Sequence, residues 1–155
     1  MASISRFISR LGEKTLPLYQ LMKKTTFFEW KDKVDEAFLQ LKKILTTPPI
    51  LASPNEKEPM LPYIAATSRV VSTVIVVEHK EEGRALPVQR PVYYLSEVLS
   101  ASKQNYPHYQ KMCYGVYFAS KKLKPYFQEH PITVVCTAPL AEIIGSRDAS
   151  GRVAK

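Results

Sequence analysis

The sequence predicts an α+β domain in which helices precede a mixed sheet, and three observations carry that prediction. Helical periodicity dominates residues 16–45. Three segments rich in β-branched and aromatic residues follow between 61 and 95, broken by short polar turns. A long helical stretch then separates them from one more apolar strand at 132–137. A three-strand meander, a crossover helix and a returning strand give antiparallel pairs plus one parallel neighbour. The chain of 155 residues is one domain, or one domain with an appendage. Its 45% apolar content is enough for a core.

Each element has a local reason. Phe7, Ile8 and Leu11 fall at helical spacing, with Arg6 and Arg10 four apart. Leu16 to Lys24 reads as a short helix, broken near Thr25-Thr26. From Lys31 to Leu45, Val34, Ala37, Phe38, Leu41, Ile44 and Leu45 recur at steps of three and four, the pattern of an amphipathic helix. Asp32 and Glu36 lie early in it and Lys42 and Lys43 late, as the helix dipole favours. Thr46-Thr47-Pro48-Pro49 stops it, and Ile50 to Pro62 is a proline-rich connection.

Leu61 to Ala66 is the first expected strand and Val70 to Glu78 the second, nearly continuous in apolar residues and so buried on both faces. A charged hairpin turn spans His79 to Arg84, and Pro91 to Leu95 is the third strand. Ser102 to Gln128 reads as one helical stretch, which Pro125 kinks or shortens. Ile132 to Thr137 is the fourth strand, and Pro139 begins a last short helix at a position that suits proline. Domain division follows composition: 1–49 is a helical segment, and 50–155 carries the sheet.

The net charge of +8 favours acidic partners such as nucleic acid, an anionic membrane or an acidic protein, although a solvated basic surface accounts for it as simply. After Glu97 only Glu129, Glu142 and Asp148 are acidic, against eight Lys and Arg. Cys113 and Cys136 both sit in apolar runs and read as buried reduced thiols. No run approaches the ~18 apolar residues of a membrane span. His79, His108 and His130 lack metal-ligand spacing with the cysteines, and there is neither a nucleophile elbow nor a phosphate loop. No cofactor is expected. The aromatic group from Tyr106 to Phe127 could stack bases, but its helical spacing fits core and rim packing better.

Several motifs fall in a specific order. Phe28-Glu29-Trp30, Glu36-Ala37-Phe38 with Leu41-Lys42, and Leu45-Thr46 with Pro48-Pro49-Ile50-Leu51 resemble the segment joining polymerase to ribonuclease H in gypsy-type LTR retrotransposon polyproteins. Pro91-Val92-Tyr93-Tyr94-Leu95-Ser96, then Asn105-Tyr106-Pro107, resembles the third strand and helix start of their ribonuclease H domain. Lys121-Lys122-Leu123-Lys124-Pro125-Tyr126-Phe127 and Ser150-Gly151-Arg152 resemble plant members most. The resemblance covers nearly the whole chain.

That resemblance implies a ribonuclease H-like fold, whose active members cut the RNA strand of RNA–DNA hybrids with two magnesium ions held by clustered carboxylates. The places that should hold those carboxylates are Ala65, Met112 and Ala138 here. The three aspartates, Asp32, Asp35 and Asp148, lie outside the expected strands. The expectation is a non-catalytic, degenerate domain, with no metal and no cofactor. By the resemblance the chain also ends before a last strand, which leaves Ile132, Thr133, Val134, Val135, Cys136 and Thr137 as an open sheet edge. Open edges pair with other chains, so self-association as a homodimer, or strand addition by a protein partner, is expected. A host-retained element with a regulatory or growth-inhibiting role would fit. The alternative is a weak nucleic-acid or hybrid binder without cleavage. The expected location is intracellular, cytoplasmic or nuclear. Residues 1–12 read either as an amphipathic lead-in or as a weak mitochondrial presequence.

Overall fold

The computed structural model describes residues 2–22, 30 and 32–145. A 3-10 turn at Ala2–Phe7 leads into two short helices, α1 (Leu11–Lys14) and α2 (Leu16–Met22). Then come α3 (Asp32–Thr46), the strands β1 (Leu61–Ala66), β2 (Val70–His79) and β3 (Val88–Val98), and helices α4 (Ala101–Gln104), α5 (His108–Lys122), α6 (Lys124–Glu129) and α7 (Leu140–Gly145). The expectations for residues 23–29, 31 and 146–155, including Asp148 and the Ser150-Gly151-Arg152 motif, lie outside the described residues.

The three strands form an antiparallel meander in the order β1-β2-β3. Register puts Ile64 opposite Thr73, and Thr73 opposite Leu95. A bulge at Ile75/Val76 re-phases β3, so both Val92 and Leu95 reach the core. β2 is the central strand and is buried on both faces, as its apolar run predicts: Val70, Val71, Thr73, Ile75, Val76 and Val77 all lie inside. β3 runs well beyond Pro91–Leu95 at both ends.

The expected strand from Ile132 to Thr137 is present only in part. It lies parallel to β1 through two bridges, Met60 to Ile132 and Tyr63 to Val135. The Met60 amide donates to Pro131 O at 2.9 Å, and Thr133 and Val135 donate to Met60 O and Pro62 O at 3.0 and 2.8 Å. The Ile64 amide donates to Val135 O at 3.1 Å. The missing rung is the one that residue 62 should donate toward Thr133. Residue 62 is proline and has no N–H to give.

The expected single helix over 102–128 is instead three helices. Pro107 caps α5, and Leu123, at φ −116° and ψ 36°, leaves helical geometry before α6. Pro125 fits there because α6 begins afresh and proline is tolerated in a first turn.

Helix α5 covers one face of the sheet. Gly115 is where it comes closest: a Cβ there would stand 2.7 Å from Ile64 Cγ2 and 2.8 Å from Val71 Cγ2. The N-terminal segment covers the other face at β2 and β3. Ile8 and Leu11 are buried, and the Gly12 amide donates to Ser96 Oγ at 3.0 Å. The apolar stripe at Phe7, Ile8 and Leu11 is therefore used in packing. Helix α3 rests on α2 and α1 and buries only Val34 and Ala37.

Candidate functional site

Two of the three positions where the resemblance expects carboxylates come together. Met112, 1% exposed, lies in an apolar cluster with Ile64, Val71, Leu99 and Leu140. Ala138 packs against the same cluster, as do Val134, Cys136 and Ala66. Ala65 does not join them. Ile64 faces Gly115 of α5, and side chains alternate along a strand, so Ala65 points to the other face, where it is exposed and pairs with Ser72. The first-strand residues on the side of Met112 are Ile64, within the cluster, and Ala66, packed against it.

Magnesium needs oxygen ligands in near-octahedral array. Methyl groups and a thioether buried among valine, leucine and isoleucine offer none. Among the described residues, no three His, Cys, Asp or Glu side chains gather in one place. Glu97, near the end of β3 and two residues before Leu99 of this cluster, is already engaged. It accepts from the Tyr114 hydroxyl at 2.8 Å, and Lys103 Nζ lies 3.4 Å away. The residues present do not fit a two-metal centre.

The Glu97, Lys103 and Tyr114 network was not legible in the sequence. Lys103 Nζ donates to the Tyr114 hydroxyl at 2.5 Å and lies 3.9 Å from the centre of its ring. Burial pushes the Tyr114 hydroxyl above its ordinary value of 10.0, outweighing the opposing effect of Lys103. The hydrogen bond to Tyr114 raises the Lys103 ammonium. Both groups stay protonated at neutral pH, so the network is a structural clamp between β3 and α5.

Lys111 falls inside the helical stretch expected from Ser102 to Gln128. It is 7% exposed, and its Nζ donates to Ser68 O in the β1–β2 turn at 3.2 Å. Cys113 and Cys136 are free and half-buried rather than fully buried. Burial raises the Cys113 thiol above 9.0, which keeps it a thiol.

Among the described residues, the expected interface strand has one side bonded and one side without partners. Thr133 and Val135 direct their amides at β1. Among the described residues, the amides of Val134 and Cys136 on the other side make no hydrogen bond. Thr133 and Thr137 are exposed, and Ile132, Val134, Val135 and Cys136 are half-buried.

This arrangement of three antiparallel strands, a parallel neighbour and a covering helix has counterparts in solved structures. A foamy viral protease-reverse transcriptase in complex with double-stranded DNA superposes with a TM-score of 0.71 at 16% identity, over 88% of this chain and 23% of that one. The foamy viral enzyme in complex with RNA/DNA hybrid gives 0.70 at 14% identity, over 94% and 19%. Sequence relatives include the Gag-Pol polyprotein of gibbon ape leukemia virus, 30% identical over 83% of this chain and 7% of that protein. The Gag-Pol polyprotein of feline leukemia virus is 26% identical over 89% and 8%. The Pol polyprotein from transposon 412 of Drosophila melanogaster is 25% identical over 83% and 10%. The chain thus spans a tenth or less of these relatives. The family described as the RNase H-like domain found in reverse transcriptase matches residues 30–134, from the start of α3 to the open segment. With two thirds of its residues inside that match, this chain belongs to the family of RNase H-like domains found in reverse transcriptases.

Proposed function

We propose that this chain is a non-catalytic RNase H-like domain that acts through protein contacts, chiefly self-association along the open segment at 132–137. One observation carries the reading. Met112 and Ala138 fill the metal region with an apolar cluster, where catalysis needs charged oxygen ligands. The unbonded amides of Val134 and Cys136 support the binding mode, because such groups template strand addition. The motif series around Phe28, Pro91 and Lys121 supports an origin in a gypsy-type LTR retrotransposon of plant lineage, retained in a regulatory or growth-inhibiting role. An intracellular location goes with that origin. A reporter fused to residues 1–12 that entered mitochondria would replace it.

Two experiments test the reading. Purified protein with magnesium or manganese should cleave a labelled RNA–DNA hybrid no faster than the protein-free control. Magnesium-dependent cleavage that survives surface mutation would overturn it. Light scattering should report a dimer for the wild type and a monomer for folded Val134→Pro. Position 134 is the one to change, since the Val135 amide bonds inward to Pro62 and its loss would break the sheet itself.

A second reading is binding of nucleic acid or hybrid without cleavage. The net charge of +8 favours it, as do solved neighbours seen in complex with double-stranded DNA and RNA/DNA hybrid. Affinity should then fall steeply with salt, by roughly 10³-fold between 50 and 200 mM if six or more phosphates are contacted.

A further inference from the structure

We propose that Cys113 and Cys136 are a modification site: the two thiols close into a reversible disulfide that fastens α5 to the segment at 132–137, the oxidant being a low-molecular-weight disulfide of the glutathione class. Closure needs only the place of the two sulfurs in the fold, so it occurs whether or not a second copy pairs along that segment.

Ile64 links the two cysteines. Tyr63 of β1 bridges Val135 in parallel register, which sets Ile64 beside Cys136 at the spacing of neighbouring strands, about 4.8 Å. Ile64 also meets α5 where the helix comes closest, its Cγ2 2.7 Å from the Cβ that Gly115 lacks. Cys113 lies two residues before that glycine. Side chains alternate along 132–137, and Val134 and Cys136 both turn to the α5 face, packed on the cluster of Ile64, Val71, Leu99, Met112 and Leu140. Cys113 packs on the same cluster from the helix.

Helix geometry decides which way Cys113 leans. Met112 and Gly115 face the sheet, so Tyr114 and Cys113 fall on opposite flanks of α5. Tyr114 reaches β3, where its hydroxyl donates to Glu97 at 2.8 Å. Across the sheet the order is β3-β2-β1 and then 132–137. The Cys113 flank is therefore the one that overhangs β1 and the segment carrying Cys136. Burial first of all holds the Cys113 thiol above 9.0, and charge on the Cys136 sulfur adds to the rise, as a near neighbour does. The Cys136 thiol donates to Ala138 O at 3.2 Å, a weak contact that exchange breaks easily. Both cysteines are half-buried, which leaves each partly open to a small oxidant.

The exchange balances with glutathione disulfide alone. One cysteine loses its proton and attacks a glutathione sulfur; that S–S bond breaks, and the expelled glutathione thiolate takes up a proton. The second cysteine then gives up its proton and attacks the protein sulfur of the mixed disulfide, forming the Cys113–Cys136 bond and expelling a second glutathione thiolate, which is protonated in turn. Two cysteines are oxidised and one disulfide is reduced to two thiols. In a reducing compartment the pair rests as thiols, and oxidation closes it. The place matters because 132–137 is tied to β1 through two bridges and lacks the rung that Pro62 cannot donate. A bond from Cys136 to α5 holds the segment where that hydrogen bond is missing.

The test equilibrates the reduced full chain with mixtures of reduced and oxidised glutathione in mild alkali, with and without urea, and reads the intact mass after an acid quench. The native chain should lose two hydrogens and carry no glutathione, and digestion should yield one peptide pair joined through Cys113 and Cys136. Its disulfide constant should exceed that of the urea-unfolded chain at least about 10-fold, because a bond that the fold favours stabilises the fold by the same factor. Cys113→Ser and Cys136→Ser should each take up one glutathione instead. Amide exchange at Thr133 and Val135 should slow in the oxidised chain and in neither variant treated the same way. The proposal fails if the native constant is no larger than the unfolded one, since the fold would then hold the sulfurs apart; that comparison needs no variant. It fails equally if the native chain takes up two glutathiones, or if the bond forms between two chains, read as a doubled mass that dithiothreitol halves. Unchanged exchange at Thr133 and Val135 in a closed chain would overturn the fastening of the segment. Masses are read on denatured protein, so loss of the dimer in Val134→Pro decides nothing here, and a failed disulfide leaves the self-association reading standing.

Discussion

Helices α3 and α5 have the same length, fifteen residues, and very different fates. α3 has the cleaner apolar stripe in sequence, yet only Val34 and Ala37 are buried, and Phe38, Leu39 and Leu45 stay exposed. α5 has a weaker stripe, interrupted by glycine, lysine and serine, yet it buries Lys111, Met112, Gly115 and Ala119 against a sheet. An apolar stripe reports that a helix has a side to hide, not that the molecule provides the surface. Small residues at close spacing, such as Gly115 and Ala119, tell more about a partner, since they are wasted unless something comes close. α5 is where the fold is held, and α3 is where it is open.

The substitution that strains this contrast most is Met112→Glu. It places the residue type that the resemblance expects at that position inside the apolar cluster. A buried carboxylate without a partner is costly or is driven neutral. We expect a loss on the order of 3 kcal/mol or more at neutral pH, measured by urea unfolding. The introduced group would have a raised folded pKa, so the loss should shrink as pH falls below that value. If Met112→Glu unfolds like the wild type and magnesium then stabilises it, the cluster is not a sealed core and α5 does not differ from α3 as described.

Gly115→Ala should come next. Alanine improves helix propensity by about 1 kcal/mol. Its Cβ, however, would sit 2.7 and 2.8 Å from methyl groups of Ile64 and Val71. Both are β-branched and stiff, and overpacking of this kind costs roughly 1–3 kcal/mol. A net destabilisation should appear in thermal melts. Stabilisation would mean that α5 can lift from β1 and β2 without penalty.

What could be read beforehand follows the range of the interactions. β2 announced itself because its burial on both faces writes a continuous apolar run from Val70 onward. The breaks at Pro107 and Leu123 were half-legible, since proline marks a boundary but does not say whether a helix bends there or restarts. The proline effect at residue 62 was not legible: its missing N–H matters only because Thr133, 71 positions later, lies beside it. The same holds for the site. The residue types at Ala65, Met112 and Ala138 were plain in the sequence, whereas the side of β1 that Ala65 faces depended on register. The clamp of Glu97, Lys103 and Tyr114 is a product of tertiary approach alone.

A smaller effect should come from alkali and should fall on α5. Cys113 and Tyr114 lie on it, and Tyr94 and Lys103 lie on neighbouring elements. All four have pKa values raised in the folded state, the thiol and both phenols chiefly by burial and Lys103 chiefly by its bond to Tyr114. A raised folded pKa means that the folded chain keeps protons the unfolded chain has lost. The resulting stability is fully present below the ordinary thiol and phenol values of 9.0 and 10.0 and is lost as pH rises through the folded ones. Melting temperature should therefore fall progressively above those values, and the fall should be shallower in Cys113→Ala/Tyr114→Phe. An equal slope in that variant would remove α5 from the account of alkaline loss.

The smallest expected change is on the open side. Phe38 is 41% exposed, touches Trp30 edge-on at 6.1 Å and lies under Lys42 at 5.6 Å. These contacts are local to α3 and its lead-in. Phe38→Ser should therefore shift unfolding by less than about 1 kcal/mol, in line with an exposed aromatic contact and a modest propensity change. Phe118→Ser on α5 removes a ring of the same size that packs into the main core, and should cost roughly 3 kcal/mol or more. The gap between the two is the contrast in quantitative form. Should Phe38→Ser cost as much as Phe118→Ser, the exposed stripe of α3 is covered in solution, and α3 joins α5 as part of the closed core.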